Sequence, residues 1–208
     1  FNTLLPRFRE MAFVTRGVTI HLADEREKKE MTFYFEGGIA SFIRYLNKTR
    51  ELISPIIYGE KEIDGIGIAF VVQYTDAYAA SVYTFANPIH TIDGGTHLTG
   101  LRASVTRSIN DYARKSGLLK ETEPNFSGED TREGMTAIVS IKHPDPQFES
   151  QTKVKLMNTE VQTYVTQVVG ETFSTFLDEN PSAGKAIVQK CLTSARARDA
   201  AKKARDLV

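Results

Sequence analysis

The chain has 208 residues, 41% of them hydrophobic and 25% charged, enough apolar material for one main domain and a fragment of another. Lys and Arg total 26, as do Asp and Glu, so net charge gives no global attraction to nucleic acid or anionic membrane, and any such contact must come from a local patch. No apolar run approaches the roughly 18–20 residues that span a bilayer, no signal-peptide pattern opens the sequence, and the single Cys191 cannot close an internal disulfide.

A cytoplasmic, reducing setting with a buried, inert Cys191 thiol is therefore expected, with no membrane partner. The sequence opens on Phe1, within what already reads as structure, so a piece of a longer protein is expected.

Leu4 to Met11 reads as the end of a helix. Val18 to Leu22 and Met31 to Phe35 form a predicted hairpin around the charged tip Asp24 to Glu30. After Glu36-Gly37-Gly38, the positions Ile39, Phe42, Ile43 and Leu46 share one helical face, and Ser54-Pro55 is the expected stop. Ile66, Ile68, Phe70, Val72 and Tyr74 alternate as in a half-buried strand, with a second strand at Val82 to Ala86 expected to pair with it antiparallel. Leu101, Val105, Ile109 and Tyr112 predict a helix ending near Gly117, and the polar stretch to Gly128 reads as a loop. Met135 to Lys142 is a predicted strand, with Ile138 making its second face less polar than expected, and His143-Pro144-Asp145-Pro146 stops it. A loop then runs to about Met157. Thr159 and Gln162 have capping-box spacing at the start of a long helix, Asn180-Pro181 ends it, and a last helix becomes rich in Ala, Lys and Arg to the end of the chain.

Three segments could carry chemistry. In Asp145 to Lys153, prolines stiffen the approach to Gln151, Thr152 and Lys153, which offer an amide, a hydroxyl and an ammonium suited to phosphate oxygens. Taken alone, the segment is better accounted for as a polar surface loop. Asp93-Gly94-Gly95-Thr96-His97 precedes a helix N-terminus that could attract an anion, but a tight turn with Thr96 as cap accounts for it. Gly128 to Gly134 clusters carboxylates in what reads as a solvated turn, with salt bridging the role expected of Arg132. His21, His90, His97 and His143 are scattered without zinc-ligand spacing, and no catalytic triad assembles. The last helix carries Lys185, Lys190, Arg196, Arg198, Lys202, Lys203 and Arg205 against Asp199 and Asp206, which allows a local positive surface.

Leu4-Leu5-Pro6-Arg7 with Met11-Ala12-Phe13, Phe35-Glu36-Gly37-Gly38, Gly94-Gly95-Thr96-His97, Arg132-Glu133-Gly134, Asp145-Pro146-Gln147-Phe148 and Gln151-Thr152-Lys153 stand together in this order. In that combination the chain resembles the B subunits of the type IIA topoisomerases, gyrase and its relative topoisomerase IV, over essentially its whole length. The resemblance implies an α+β fold. Residues 1–35 would be the C-terminal remnant of a GHKL ATPase domain, with its terminal helix and hairpin. Residues 36–208 would be the transducer domain, a mixed sheet packed on helices with a left-handed βαβ crossover, ending in the long basic helix.

The same resemblance implies that Gln151 and Lys153 bind the γ-phosphate of ATP, with Lys153 as the catalytic contribution, in an ATP-hydrolysing DNA topoisomerase. The family's general-base glutamate, magnesium-binding asparagine, adenine-binding aspartate and glycine-rich lid have no counterpart here. ATP and Mg2+ would therefore be bound mainly by other parts of the subunit, and this fragment alone should be inactive. Implied partners are the gyrase A subunit, a second copy of the B subunit, and double-stranded DNA. Arg102 and Arg107, with the basic end of the last helix, are the candidates for easing DNA transit. A topoisomerase IV subunit, or a nucleic-acid-binding module of the same fold without nucleotide coupling, are the alternatives.

Overall fold

The computed structural model describes residues 1–206. In chain order it contains α1 (Leu5–Val14), β1 (Ile20–Asp24), β2 (Lys29–Phe33), α2 (Gly38–Asn47), β3 (Ile57–Ile63), β4 (Ile66–Tyr74), β5 (Ser81–Ala86), β6 (Ile89–His90), α3 (Thr96–Lys115), α4 (Gly128–Arg132), β7 (Met135–Lys142), α5 (Thr159–Glu179) and α6 (Pro181–Asp206). Strands β1 and β2 form the separate charged-tip hairpin, shifted by two residues from the predicted runs. The other five make one mixed sheet in the order β3-β4-β7-β5-β6.

The alternation in β4 assigns its two faces. Ile66, Ile68, Phe70, Val72 and Tyr74 join Met135, Ala137, Val139 and Ile141 of β7 in a cluster covered by α3 and α5. On the opposite face Val71 and Ile138 meet Phe13 of α1, Ile39 and Phe42 of α2, and Phe85 of β5. Phe13 stacks on Phe35 and Phe42 at ring-centroid distances of 3.7 and 4.7 Å, so the N-terminal segment closes this second layer. Ile138 is apolar because both faces of β7 are covered.

The expected antiparallel pairing of β4 with β5 is overturned. Strand β7 lies between them, antiparallel to β4 and parallel to β5. Parallel neighbours need a long crossover, and the segment containing α3 and α4 provides it. The neighbour of β4 on its other side is β3, absent from the sequence reading because Tyr58, Glu60 and Lys61 leave its exposed side polar.

Helix α2 ends at Asn47 rather than at Ser54-Pro55. Asn47 is buried, donates to the Gln73 side chain (2.9 Å) and accepts from Thr136 (2.8 Å), so its side chain serves the sheet face. The stretch before Gly128 is not purely polar loop, since Leu119 and Phe126 are buried in the main cluster. Two caps also differ from expectation. Gly95 stands at the N-cap of α3 with no side-chain cap from Thr96, and Asn158 rather than Thr159 stands at the N-cap of α5. Helices α3 and α5 approach closely at Gly100, where a Cβ would lie 2.7 Å from the Gln162 carbonyl oxygen.

Candidate functional site

The segment between β7 and α5 is a loop with an ordered root. Met157 donates its N–H to the Gln147 carbonyl (2.8 Å) and Glu149 donates to that of Lys155 (3.1 Å), giving a short two-sided stem. The stem is sewn to the start of α3. Leu156 donates to the Gly94 carbonyl (3.0 Å), Thr96 donates to the Leu156 carbonyl (3.1 Å), and Asp93 donates to that of Val154 (2.9 Å). Gly95, at φ 133°, makes this possible, because a Cβ there would press into the Leu156 backbone.

At the tip, Lys153 donates its N–H to the Ser150 carbonyl (3.0 Å) and sits at φ 56°, a left-handed conformation that a lysine rarely adopts. Gln151, Thr152 and Lys153 are all exposed, so the structure brings these sequence-predicted residues together on one tip. Among the described residues Lys153 forms no ion pair; its ammonium lies 5.9 Å from the Phe148 ring centroid. Lys155, two residues on, is tied to Glu149 at 2.9 Å, which raises its pKa. The tip thus presents one uncommitted cation, one amide and one hydroxyl to solvent, a donor set able to receive phosphate oxygens.

Below the stem lies His97, fully buried. Its Nε2 meets the Thr91 hydroxyl at 2.9 Å, while its Nδ1 has no partner in hydrogen-bonding geometry. Burial lowers its pKa to about 4, against an opposing effect of the nearby Gly95 backbone. A neutral imidazole wedged under the loop is a structural group here, and the glycine pair above it shapes the turn.

Arg102 and Arg107 lie apart from the tip on α3, exposed on an open groove with Thr106, Asn125 and Arg132. Burial, followed by the like charge of Arg132, lowers the pKa of Arg102. The salt bridge expected of Arg132 is not formed among the described residues. Its neighbours are paired instead, buried Asp130 with Arg198 (3.1 Å) and Glu133 with Lys190 (3.7 Å), so two basic residues of α6 are spent on α4. Lys202, Lys203 and Arg205 are exposed, and the last two positions of the predicted basic helix lie outside the described residues. Cys191 is buried and its pKa is pushed up to about 12, chiefly by burial, which keeps the thiol protonated.

The sequence reading missed three polar residues at the root of the loop, His143, Asn158 and Glu160, which meet there. The two ends of a loop both carrying side chains able to hydrogen-bond was the available signal, but their spacing does not show that they converge. Among the described residues no group of three or more His, Cys, Asp or Glu could hold a metal ion. No helix there is long and apolar enough to cross a membrane.

This mixed sheet with helices on both faces is shared with known proteins. Among solved structures, the 43K ATPase domain of Thermus thermophilus gyrase B, determined with an aminocoumarin, superposes with a TM-score of 0.86 at 39% identity, covering 100% of this chain and 56% of that one. A sequence profile described as DNA gyrase B matches residues 38–207. The DNA gyrase B protein of Clostridium acetobutylicum is 50% identical over 209 residues, and that of Halalkalibacterium halodurans is 51% identical over 211; each alignment takes in 100% of this chain and 33% of the relative. The chain therefore belongs to the DNA gyrase B family, and it spans about a third of the length of these curated relatives.

Proposed function

We propose that this chain is the coupling segment of an ATP-dependent type II DNA topoisomerase, in which the tip of the β7–α5 loop contacts the γ-phosphate of bound ATP. Residues up to about Phe35 are the tail of the GHKL ATPase domain, and residues 36–208 are the transducer. The observation that carries this reading is Lys153, exposed and without a carboxylate partner among the described residues, held in a left-handed backbone conformation on a braced stem. Gln151 adds an amide donor at the same tip. ATP offers a terminal phosphate that Lys153 can engage by charge-assisted hydrogen bonds, and hydrolysis removes the group that held loop and nucleotide together. The contribution of Lys153 is electrostatic and positional, not proton transfer.

The adenine, ribose and magnesium contacts belong to other parts of the subunit, so the isolated chain neither hydrolyses ATP nor cleaves DNA. Its partners in the working enzyme are the gyrase A subunit, a second copy of the B subunit and double-stranded DNA. Arg102 and Arg107 face the passing duplex with weak, sequence-independent, salt-sensitive attraction. Their exposure on a groove with Arg132 supports that role.

The test is Lys153→Ala in the full-length subunit assembled with its partner and DNA. ATP turnover should fall by about 100-fold or more, as when one charge-stabilising group is removed from a reaction centre, and Gln151→Ala should show a milder loss. Normal turnover by the lysine variant would sink the assignment.

A further inference from the structure

Lys153 can act on a phosphate only if the loop holds it in place, and the root of that loop is tied by side chains with no part in the contact itself. His143 follows the last residue of β7, Asn158 stands at the N-cap position of α5, and Glu160 lies in the first turn of α5. The His143 backbone is fixed on both sides by Asn87, whose Nδ2 donates to the His143 carbonyl (2.7 Å) and whose Oδ1 accepts the His143 N–H (2.8 Å). The ring is almost fully enclosed, with 8% of its side chain exposed.

The hydrogen bonds assign its tautomer. Nδ1 accepts the Asp145 N–H at 3.0 Å, so the ring proton resides on Nε2, which donates to Glu160 Oε1 at 2.9 Å. Asn158 Nδ2 donates to the same oxygen at 3.0 Å, while Asn158 Oδ1 accepts the Gln147 N–H at 2.7 Å. Nδ2 and Nε2, 3.3 Å apart, are then two donors sharing one acceptor. The Glu160 carboxyl is held below its usual range by its own backbone N–H, then by Asn158 and His143, so it is ionised at neutral pH.

The cluster grips the incoming strand at Asp145 and Gln147 and the outgoing one at Asn158 and Glu160. Pro144 and Pro146 stiffen the incoming strand between these grips.

We propose that His143, Asn158 and Glu160 form a latch that positions the loop, fixing where Lys153 stands relative to the phosphate; this rests on the phosphate-contact reading of the loop. These are positioning residues, acting through Lys153. Releasing the latch leaves the nucleotide's contacts elsewhere in the subunit untouched and displaces only the tip, the Lys153 ammonium together with the Gln151 amide.

The experiment measures ATP turnover by the full-length subunit, assembled with its partner subunit and DNA, in a double-mutant cycle. His143→Ala and Glu160→Ala should each lower kcat by about 10-fold or more, as a misplaced group near a reacting centre does, with the KM for ATP changed by less than about twofold. Glu160→Gln, which keeps an acceptor oxygen, should stay within about threefold of the parent. In a Lys153→Ala background, His143→Ala should add no more than the mild loss that Gln151→Ala causes by itself, because residues acting as a unit are not additive. Glu160 is partly exposed, so its alanine variant keeps the test meaningful even if His143→Ala unfolds. Normal kcat in both alanine variants beside an impaired Lys153→Ala overturns the latch alone. So do losses that multiply in the lysine background. Normal turnover in Lys153→Ala overturns the phosphate-contact reading itself.

Discussion

Phe70, Val72 and Val139 lie in strands covered on both faces and shut away from water, whereas Gln151 and Lys153 stand in solvent on the loop that leaves β7. Between the two regions the source of order changes. The strands are fixed by apolar area removed from water, spread over many contacts that no single partner controls. The loop is fixed by a handful of hydrogen bonds at its root, which leave the side-chain donors of Gln151 and Lys153 at the tip uncommitted among the described residues. A segment that must exchange partners during a reaction cycle is better held in the second way, because its working groups are not consumed in holding it. Substitutions should therefore separate into those that cost stability and those that cost activity.

The largest stability effect should come from the buried region. Phe70→Ala removes a fully buried ring from the main cluster and should destabilise the chain by about 3–5 kcal/mol in urea unfolding; a loss below about 1 kcal/mol would show that the two regions do not differ as described. A smaller effect lies where they meet, at His97. Its folded pKa of about 4 is below the ordinary imidazole value of 6.5, so the unfolded chain binds its proton first as pH falls. Stability from this group is full above about pH 6.5 and is lost on acidification toward pH 4, by about 2 kcal/mol between pH 7 and pH 5. His97→Gln should remove that much of the slope, seen by comparing unfolding curves of parent and variant at the two pH values. An unchanged slope would mean that the ring is already protonated or hydrated. The smallest effect should be that of Lys153→Ala on stability, within about 0.5 kcal/mol, although it is the substitution expected to harm turnover most. A thermal shift as large as that of Phe70→Ala would erase the contrast.

The elements whose order comes from burial were the ones legible in the sequence. Alternation gave β4 and β7, and helical spacing gave α2, α3, α5 and α6, because each has one face pressed on a core. Strand β3 escaped because Gly59 and the charged Glu60, Lys61 and Glu62 replace the apolar alternation at a sheet edge. The pairing of β5 was misread because neighbours in sequence need not be neighbours in the sheet, and here the crossover through α3 inserts β7 between β4 and β5. The caps failed for a related reason. Asn158 takes the position the sequence offered to Thr159 because its side chain reaches Gln147 and Glu160, contacts that no local pattern displays. At the site, residue type made Gln151 to Lys153 legible as an exposed polar loop and only the resemblance suggested a phosphate contact, while the His143 latch was not legible at all. A histidine before two prolines reads as the end of a strand, and only the fold brings Glu160 to its ring.

Leu156 is bonded to the backbone on both sides of Gly95, so the loop stem and the first residue of α3 form one stiff piece. Helix α3 has 20 residues, which at the rise of an α-helix makes a rod about 30 Å long. By lever geometry, a tilt of about 5° at the pinned end carries the far end through roughly 2.5 Å, with no bond in the helix changed. Arg102 and Arg107 ride on that rod in its first and middle thirds, roughly 9 and 16 Å from the pinned end, so the same tilt would move them by about 1 Å.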